Sequence, residues 1–210
     1  EIEAIERQVE ADGRWSALVD AVGGVAAYPA IVRDSRSYES SINTIVHEWV
    51  HHYLFFFPLG RAFFRNDELR TINETVADIV AAEIDDLVIA ASPAVRPSGT
   101  GNVDRAESDE ILFQLRLDVD RLLAAGEVDQ AERLMDEGRV ELSALGRDLR
   151  RINQAYFAFH GVYATSAASS SPIGPLLQEL RGAAPSLADF LAQIRDLTGQ
   201  SELEALLAQP

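Results

Sequence analysis

The sequence predicts a mainly α-helical fold with a small β-sheet. Across most of the 210 residues, apolar side chains recur every three to four positions among charged ones, which is the period of an amphipathic helix. Residues 25–32 are instead rich in β-branched and aromatic side chains, and Pro29 among them favours an edge strand. A chain of this length buries enough surface for one full core. We therefore expect a single domain, with or without a helical appendage.

The first helices can be placed in chain order from the apolar period and from the residues that begin or end helices. Residues 1–22 form an amphipathic pattern with a weak point at Gly13, and a pair of glycines ends it. A second helix is predicted over residues 41–57, between two serines that can cap it and the stop at Pro58. The same reasoning predicts a third helix over residues 67–91.

The second half of the chain is also predicted to be helical. Residues 92–108 hold many turn-forming residues and few apolar anchors, so we expect a flexible surface loop there. Helical periods then resume, bend at Gly126 and continue as a long helix over residues 128–164, with weak points at Gly138 and Gly146. Short helices are predicted to follow at 176–180 and 187–197. The predicted organisation is a core over residues 1–91, a flexible loop over 92–108 and a helical part over 109–210 that completes the same domain.

Composition excludes several classes of function. The net charge of −16 and the pI near 4.5 disfavour nucleic acid as a partner, because phosphate binding depends on clustered Lys and Arg, and they disfavour an anionic membrane surface for the same reason. With no cysteine in the chain, disulfides, thiolate ligands and cysteine nucleophiles are excluded. Any metal must therefore be held by His and carboxylate side chains.

The sequence contains no membrane-spanning pattern. The longest apolar run, residues 49–59, is interrupted by His51 and His52 and is too short to cross a bilayer as a helix. The chain begins at Glu1, already inside a predicted helix and without an initiator Met. This raises the hypothesis of an extracytoplasmic fragment of a longer precursor, while the lack of cysteine fits either compartment.

The second predicted helix contains the main motif, His47-Glu48-Trp49-Val50-His51, which has the form HExxH. Residues four apart in a helix lie about 40° from one another around the axis, so both imidazoles can take corners of a zinc tetrahedron. Glu48 lies about 100° around from His47, where its carboxylate can reach a metal-bound water without being a ligand. The motif thus predicts a zinc site with Glu48 as the catalytic base.

The alternative is that these histidines are ordinary helix residues. Three of the four histidines in the chain fall within residues 47–52, and a cluster of buried ionisable side chains is costly without a metal or partners. His52 is rotated by about 100° from His51 and is expected not to be a ligand. These observations favour the zinc site over the alternative.

The source of the third zinc ligand distinguishes two kinds of zinc peptidase, the metzincins and the gluzincins. Metzincins continue the motif as HExxHxxGxxH, and this chain has Leu54 and Phe57 where that pattern requires glycine and histidine. Gluzincins take a glutamate from a following helix, and residues 73–78, Asn-Glu-Thr-Val-Ala-Asp, supply one at Glu74. The combination of HExxH with NExxAD, over residues 40–85, resembles the thermolysin-like gluzincins.

The resemblance implies a set of site residues and a fold. Glu74 would be the third zinc ligand and Asp78 would hydrogen-bond a ligand histidine; the two are four residues apart, so one helix face can carry both. The fold would be zincin-like, α+β with a reduced sheet, with residues 25–32 as the strand that aligns the substrate and a helical C-terminal part covering the site. The alternative for Glu74 is an exposed acid interacting with the helix dipole.

Peptide hydrolysis also needs a hydrogen-bond donor for the oxyanion, which gluzincins take from Tyr or His. Polar side chains recur at spacings of three, four and three on the long predicted helix, at Asn153, Tyr156, His160 and Tyr163. We assign the role to Tyr163 first and His160 second. The alternative is that these side chains only pack against the HExxH helix.

The C-terminal part is also weakly similar to a family of bacterial predicted zinc aminopeptidases. Residues 151–155, Arg-Ile-Asn-Gln-Ala, parallel their R-x-N-N-A segment with Gln154 in place of the second Asn, and Tyr163 and residues 189–190 follow. No GAMEN-like exopeptidase segment is visible in the chain, which argues against the aminopeptidase activity itself.

The expected function is zinc-dependent peptide-bond hydrolysis on a peptide or protein substrate. Glu48 would act as general base on a metal-bound water and pass the proton to the leaving amine, while Tyr163 or His160 stabilises the oxyanion. Two alternatives stay open: a non-catalytic zinc-binding or interaction domain that retains a zincin fold, and zinc-dependent hydrolysis of a non-peptide amide. Retention of Glu48 favours catalysis, since a structural zinc site has no need of that carboxylate.

Overall fold

The computed structural model describes residues 1–34, 37–92 and 105–208. It is mainly helical, with 66% helix and two short strands, which confirms the predicted mainly α class. In chain order the described elements are α1 (Ile2–Val9), a 3-10 turn (Glu10–Asp12), β1 (Gly24–Val25), β2 (Ile31–Val32), α2 (Tyr38–Leu54), α3 (Pro58–Arg61), α4 (Asp67–Ala91), α5 (Arg105–Ala124), α6 (Val128–Ala144), α7 (Gln154–His160), α8 (Ile173–Ala183), α9 (Leu187–Ile194) and α10 (Gln200–Leu207). None of these helices is both long enough and apolar enough to cross a membrane.

The chain divides into two compact units. Of the described residues, the first contains 1–21, 105–161 and 166–170, and the second contains 22–34, 37–92, 162–165 and 171–208. The prediction that residues 109–210 complete the same domain as residues 1–91 stays a prediction.

The first unit is built around the pairing of α5 with α6. Its core is formed by buried apolar side chains from these helices, from α7 and from the segments beside it: Leu112, Leu115, Val119, Ala131, Met135, Leu142, Ile152, Tyr156, Phe157 and Ala168. The buried carboxylate of Glu6 on α1 accepts hydrogen bonds from Arg150 and from the backbone of Val19. This pairing holds α1 and the segment after it in place within the unit.

The second unit is built around the packing of α2 on α4. Side chains such as Val50, Leu54, Ile72 and Val76 are fully buried where they join its core, and α8 and α10 also pack on α4. The strands β1 and β2 form an antiparallel hairpin that pairs Gly24 with Val32 and contacts α2. The other elements of this unit therefore pack mainly on helices α2 and α4.

The caps of α2 and α4 explain where these helices begin. The Ser37 hydroxyl accepts from the Ser40 amide, and the Asn66 side chain accepts from the amides of Glu68 and Leu69. The α4 bounds are those predicted, whereas α2 begins and ends three residues earlier than the predicted helix over residues 41–57.

Several sequence predictions differ from the observed elements. The short helices predicted at 176–180 and 187–197 are α8 and α9 with other bounds, and three further differences lie at turns. The first helix ends at Val9, and after the 3-10 turn Gly13 adopts a positive φ of 69°, so the predicted helix over residues 1–22 is too long. Residues 25–32 form a hairpin of two short strands and not one strand. The predicted helix over residues 128–164 is two helices, because α6 ends at Ala144 and Gly146 adopts a φ of 84° that α-helix does not accommodate.

The predicted flexible loop over residues 92–108 falls mostly outside the described residues. Of the described part, Ser92 ends α4 and residues 105–108 already belong to α5.

Candidate metal centre

Two histidines of α2 and one glutamate of α4 converge in the second unit. His47 Nε2 lies 3.0 Å from His51 Nε2 and 3.1 Å from Oε2 of Glu74, and His51 Nε2 lies 3.4 Å from that oxygen. The histidines converge because they are one helical turn apart, and Glu74 faces them because α4 packs on α2. Among the described residues, these three form the one cluster of His and acidic side chains that could hold a metal ion.

The three atoms have the spacing of one face of a coordination tetrahedron. With metal–ligand distances of about 2.0 to 2.1 Å, a tetrahedral zinc site has ligand atoms about 3.3 to 3.4 Å apart, close to the observed 3.0, 3.1 and 3.4 Å. A circle through atoms at these three distances has a radius of about 1.8 Å, so a point about 2.0 Å from all of them exists. The spacing of the three atoms therefore fits a metal ion.

The other nitrogen of each imidazole is already bonded to α4. Nδ1 of His47 lies 3.0 Å from Oδ1 of Asp78, and Nδ1 of His51 lies 2.7 Å from Oδ1 of Asn73. Because these oxygens are acceptors, each Nδ1 is assigned the proton, and each Nε2 is left with a lone pair. Such outer bonds fix the orientation of ligand histidines in metal sites.

Three acceptor atoms so close together require a positive charge between them. Without a metal, that charge is a proton on His47: burial opposes it, but hydrogen bonds to Asp78 and Glu74 outweigh burial and raise the pKa of His47 to about 9. Burial likewise acts to raise the pKa of Glu74, but its hydrogen bond with the protonated His47 and its closeness to His51 outweigh burial and lower that pKa to about 2. The three side chains could therefore hold a cation between them.

Glu48 lies beside this cluster under strand β1. Its side chain is buried, with 6% exposure, and burial raises the pKa of its carboxyl group. A Cβ atom on Gly24 would lie 2.6 Å from Oε1 of Glu48 and 2.7 Å from Cγ2 of Thr44. The strand can approach α2 this closely because glycine has no side chain.

Tyr163 also lies beside the cluster, within the second unit. Its ring centroid is 6.1 Å from that of His47, and burial and the carboxylates of Glu74, Asp78 and Glu48 all raise the pKa of its hydroxyl. The adjoining Ala164 amide donates to the buried Thr75 hydroxyl on α4, at 2.9 Å. This bond ties the segment that carries Tyr163 to the helix that carries Glu74.

The predicted stripe of polar side chains on one helix is not observed. Asn153 is the N-cap of α7, Tyr156 and His160 belong to that helix, and Tyr163 follows its end. His160 lies in the first unit, where its Nε2 is 3.0 Å from Asp20 and its ring contacts Tyr156. The role predicted for His160 at the metal centre stays a prediction.

Other residues singled out in the sequence have structural contacts. His52 Nε2 lies 2.8 Å from the carbonyl oxygen of Ala27 and so attaches the β1–β2 hairpin to α2. In the first unit, Arg151 donates to Glu10, and Asn153 both caps α7 and donates to the carbonyl of Ala17. The segment of residues 151–155 thus holds the N-terminal segment of its own unit.

Sequence reasoning missed two residues of the centre. Asn73 bonds His51, and the signal for it was its position directly before Glu74 in the quoted NExxAD pattern. Gly24 contacts the Glu48 side chain, and nothing local in the sequence distinguishes it from Gly23 beside it.

Comparisons of the chain with protein-family models, with curated proteins and with solved structures give no match. The chemistry of the centre is therefore inferred from its own geometry.

Proposed function

We propose that this chain is a zinc-dependent peptidase of the gluzincin type with a zincin-like fold. His47, His51 and Glu74 would hold the ion. The observation that carries the proposal is the convergence of three acceptor atoms within 3.0–3.4 Å while both histidines are held by α4 through Nδ1.

The donor set favours zinc over other common ions. Two imidazoles and one carboxylate are the protein ligands of many catalytic zinc sites, which keep one further position for water or substrate. Calcium and magnesium prefer sites made of oxygen atoms only. Zinc bound here would supply Lewis-acid chemistry, polarising a substrate carbonyl and lowering the pKa of a water molecule.

Glu48 would be the general base of the reaction. Glu48 directly follows His47 in the chain. Among the described hydrogen bonds, its carboxylate bonds neither His47 nor His51. The pKa of Glu48 is raised, which brings it closer to the pH at which an enzyme operates. A general base accepts and returns protons most effectively when its pKa is near that pH. It would take a proton from water and give it to the leaving amine.

Tyr163 would donate a hydrogen bond to the oxyanion. Its raised pKa keeps the hydroxyl protonated, and a protonated hydroxyl is the form that can donate. His160 remains the second candidate for this role.

A non-catalytic metal-binding module is the alternative, and one observation favours it. Glu48 is 6% exposed and lies under Gly24, so β1 restricts access of a substrate to this carboxylate. Catalysis would require the substrate to reach Glu48 from the side of the metal cluster.

A peptide library digested by the zinc-loaded protein separates these possibilities. We expect cleavage that a chelator abolishes and that Glu48→Gln removes while its zinc content stays at one ion per chain. Glu39→Gln, at the start of the same helix, is the matched control and should cleave like the parent. No zinc-dependent cleavage by the parent would contradict the peptidase proposal, and cleavage of simple amides alone would indicate an amidase instead.

A further inference from the structure

The connection between α2 and α4 is unusually aromatic. Residues 55–65, Phe-Phe-Phe-Pro-Leu-Gly-Arg-Ala-Phe-Phe-Arg, contain five of the nine phenylalanines in the chain and are called the Phe-rich turn below. Three of these rings face solvent, with exposures of 65% for Phe55, 68% for Phe56 and 92% for Phe64. Exposed apolar side chains gathered in one segment mark a binding surface more often than isolated ones do.

The Phe-rich turn is held in shape by its own hydrogen bonds. The Phe57 amide donates to Leu54, the Arg65 amide donates to Ala62, and the Arg61 guanidinium donates to the carbonyl of Phe56, each at 2.8 Å. The Phe57 ring packs inward beside Tyr53, under the guanidinium of Arg195 at 4.4 Å. The outward rings are therefore displayed on an anchored loop.

The charge of the Phe-rich turn is opposite to that of the chain. Its charged residues are Arg61 and Arg65, both exposed, and it contains no carboxylate, so it carries +2 in a chain of net charge −16. The Debye length at physiological salt is about 8 Å. Directly after the turn, the Asp67 carboxylate pairs with Arg70 at 2.7 Å, and residues 55–70, with three arginines against Asp67 and Glu68, keep a net charge of +1. Charges farther than one Debye length from a docked surface are screened, so the local charge of the docking segment is positive.

We propose that the Phe-rich turn docks on the surface of a phospholipid bilayer that contains anionic headgroups. Phe55, Phe56 and Phe64 would enter the boundary between headgroups and acyl chains, and Arg61 and Arg65 would contact lipid phosphates. Apolar rings together with basic side chains provide the two signals that stable binding at a membrane surface requires. The docking is peripheral, and it involves no spanning helix.

Docking in this way would hold the metal centre close to the bilayer. The Phe63 ring lies 4.9 Å from that of Phe64 and 5.8 Å from that of His51, edge to face in both cases. One aromatic contact therefore separates the exposed ring from a ligand of the candidate metal centre. The proposal does not depend on the peptidase function, since neither the rings nor the arginines bind the metal.

Sedimentation of the full chain with lipid vesicles tests the proposal. We expect the protein to pellet with vesicles of phosphatidylcholine and phosphatidylglycerol, and the combined substitution Phe55→Ser, Phe56→Ser and Phe64→Ser to weaken binding at least tenfold. Arg61→Ser with Arg65→Ser should weaken binding to these vesicles and leave the weaker binding to pure phosphatidylcholine unchanged. Phe113→Ser, on α5 and 37% exposed, is the matched control and should bind like the parent.

Any of three results would overturn the proposal. The first is failure of the parent to pellet with either vesicle, and the second is equal binding by the triple phenylalanine variant. The third is self-association of the parent in gel filtration that the triple variant abolishes without any vesicle binding, which would make the Phe-rich turn a protein interface. Circular dichroism of each variant excludes unfolding as the cause of lost binding.

Discussion

Nε2 of His47 lies 3.0 Å from Nε2 of His51, while Nδ1 of each ring is bonded to an oxygen on α4. Two imidazole lone pairs this close repel each other unless a cation lies between them. The hydrogen bonds at Nδ1 leave a lone pair on each Nε2, so the cation between the two Nε2 atoms is either a proton or a metal ion. The predictions below depend on which of the two it is.

The first prediction concerns Asn73, whose Oδ1 accepts from Nδ1 of His51 at 2.7 Å. Asn73→Ala should weaken zinc binding by about 10- to 100-fold, because the ligand loses the partner that orients it. Asn73→Asp keeps an oxygen acceptor and should bind zinc much like the parent. Competition with a chromophoric chelator measures these affinities.

The matched control for Asn73 is Asn153, which is equally buried but caps α7 in the other unit. Asn153→Ala should lower stability by about 1 kcal/mol through loss of the cap and leave zinc affinity unchanged. Equal zinc affinity of Asn73→Ala and the parent would show that this bond does not orient His51.

The second prediction concerns Gly24. A methyl group in Gly24→Ala would meet Oε1 of Glu48 at 2.6 Å, so Glu48 or β1 must shift. We expect turnover to fall at least tenfold with no loss of zinc, since Glu48 is not a ligand. Gly182→Ala on α8, where nothing lies within 4 Å of the added atom, should keep full activity. Unchanged turnover in Gly24→Ala would mean that this contact does not position the base.

The third prediction concerns the tie between Thr75 and the segment that carries Tyr163. Tyr163→Phe should lower kcat by about 10²- to 10³-fold, as loss of an oxyanion donor does elsewhere. Thr75→Val leaves the Ala164 amide without its acceptor at 2.9 Å, which should cost about 1–3 kcal/mol of stability and also lower kcat. Zinc content should be unchanged in both variants.

The control for that pair is Thr71→Val, one turn earlier on α4. It should keep the parent kcat. If Tyr163→Phe retains full kcat, Tyr163 is not the oxyanion donor, and the same assay on His160→Ala then tests the second candidate.

The fourth prediction concerns pH and the metal-free protein. The pKa of Glu74 is lowered from 4.5 to about 2, so its contribution to stability is present above pH 4.5 and is lost as the pH falls toward 2. The pKa of His47 is raised from 6.5 to about 9, so its contribution is present below pH 6.5 and is lost as the pH rises through 9. These two groups together favour the folded state most between pH 4.5 and 6.5.

Urea unfolding of chelator-treated protein across this range measures the effect. Glu74→Gln should flatten the loss of stability below pH 4.5, whereas Glu141→Gln, on the exposed face of α6, should follow the parent profile. Parallel pH profiles for Glu74→Gln and the parent would contradict the coupling of Glu74 with the histidines. Zinc should bind more tightly as the pH rises toward 9, because the metal must displace the proton of His47.

Much of the centre could be predicted because its residues lie on two regular helices. The spacing of His47 and His51 specifies their common direction, and the apolar period of α4 predicted the bounds that are observed. The role of Asn73 was not predicted, because its bond to His51 depends on how α4 packs on α2. The apolar periodicity of a single helix does not contain that information.

The elements that were misjudged are those that depend on turns. Residues 25–32 have the composition of a strand, yet they form a hairpin around Pro29. His52 bonds the backbone of Ala27, and both β1 and β2 contact α2, so the two strands are held against that helix. The long predicted helix is divided at Gly146, where the backbone has a positive φ. The surrounding apolar pattern does not indicate this conformation. Tyr163 consequently follows a helix and is positioned by Thr75 and not by helical spacing.

The zinc content of purified protein tests the central claim most directly. Metal analysis after loading and exhaustive dialysis should give one zinc per chain for the parent and for Glu48→Gln. It should give none for His47→Ala, and a strongly reduced content for Glu74→Ala. Full zinc retention by Glu74→Ala would contradict the three-ligand centre, and the absence of zinc from the loaded parent would contradict the metal site as a whole.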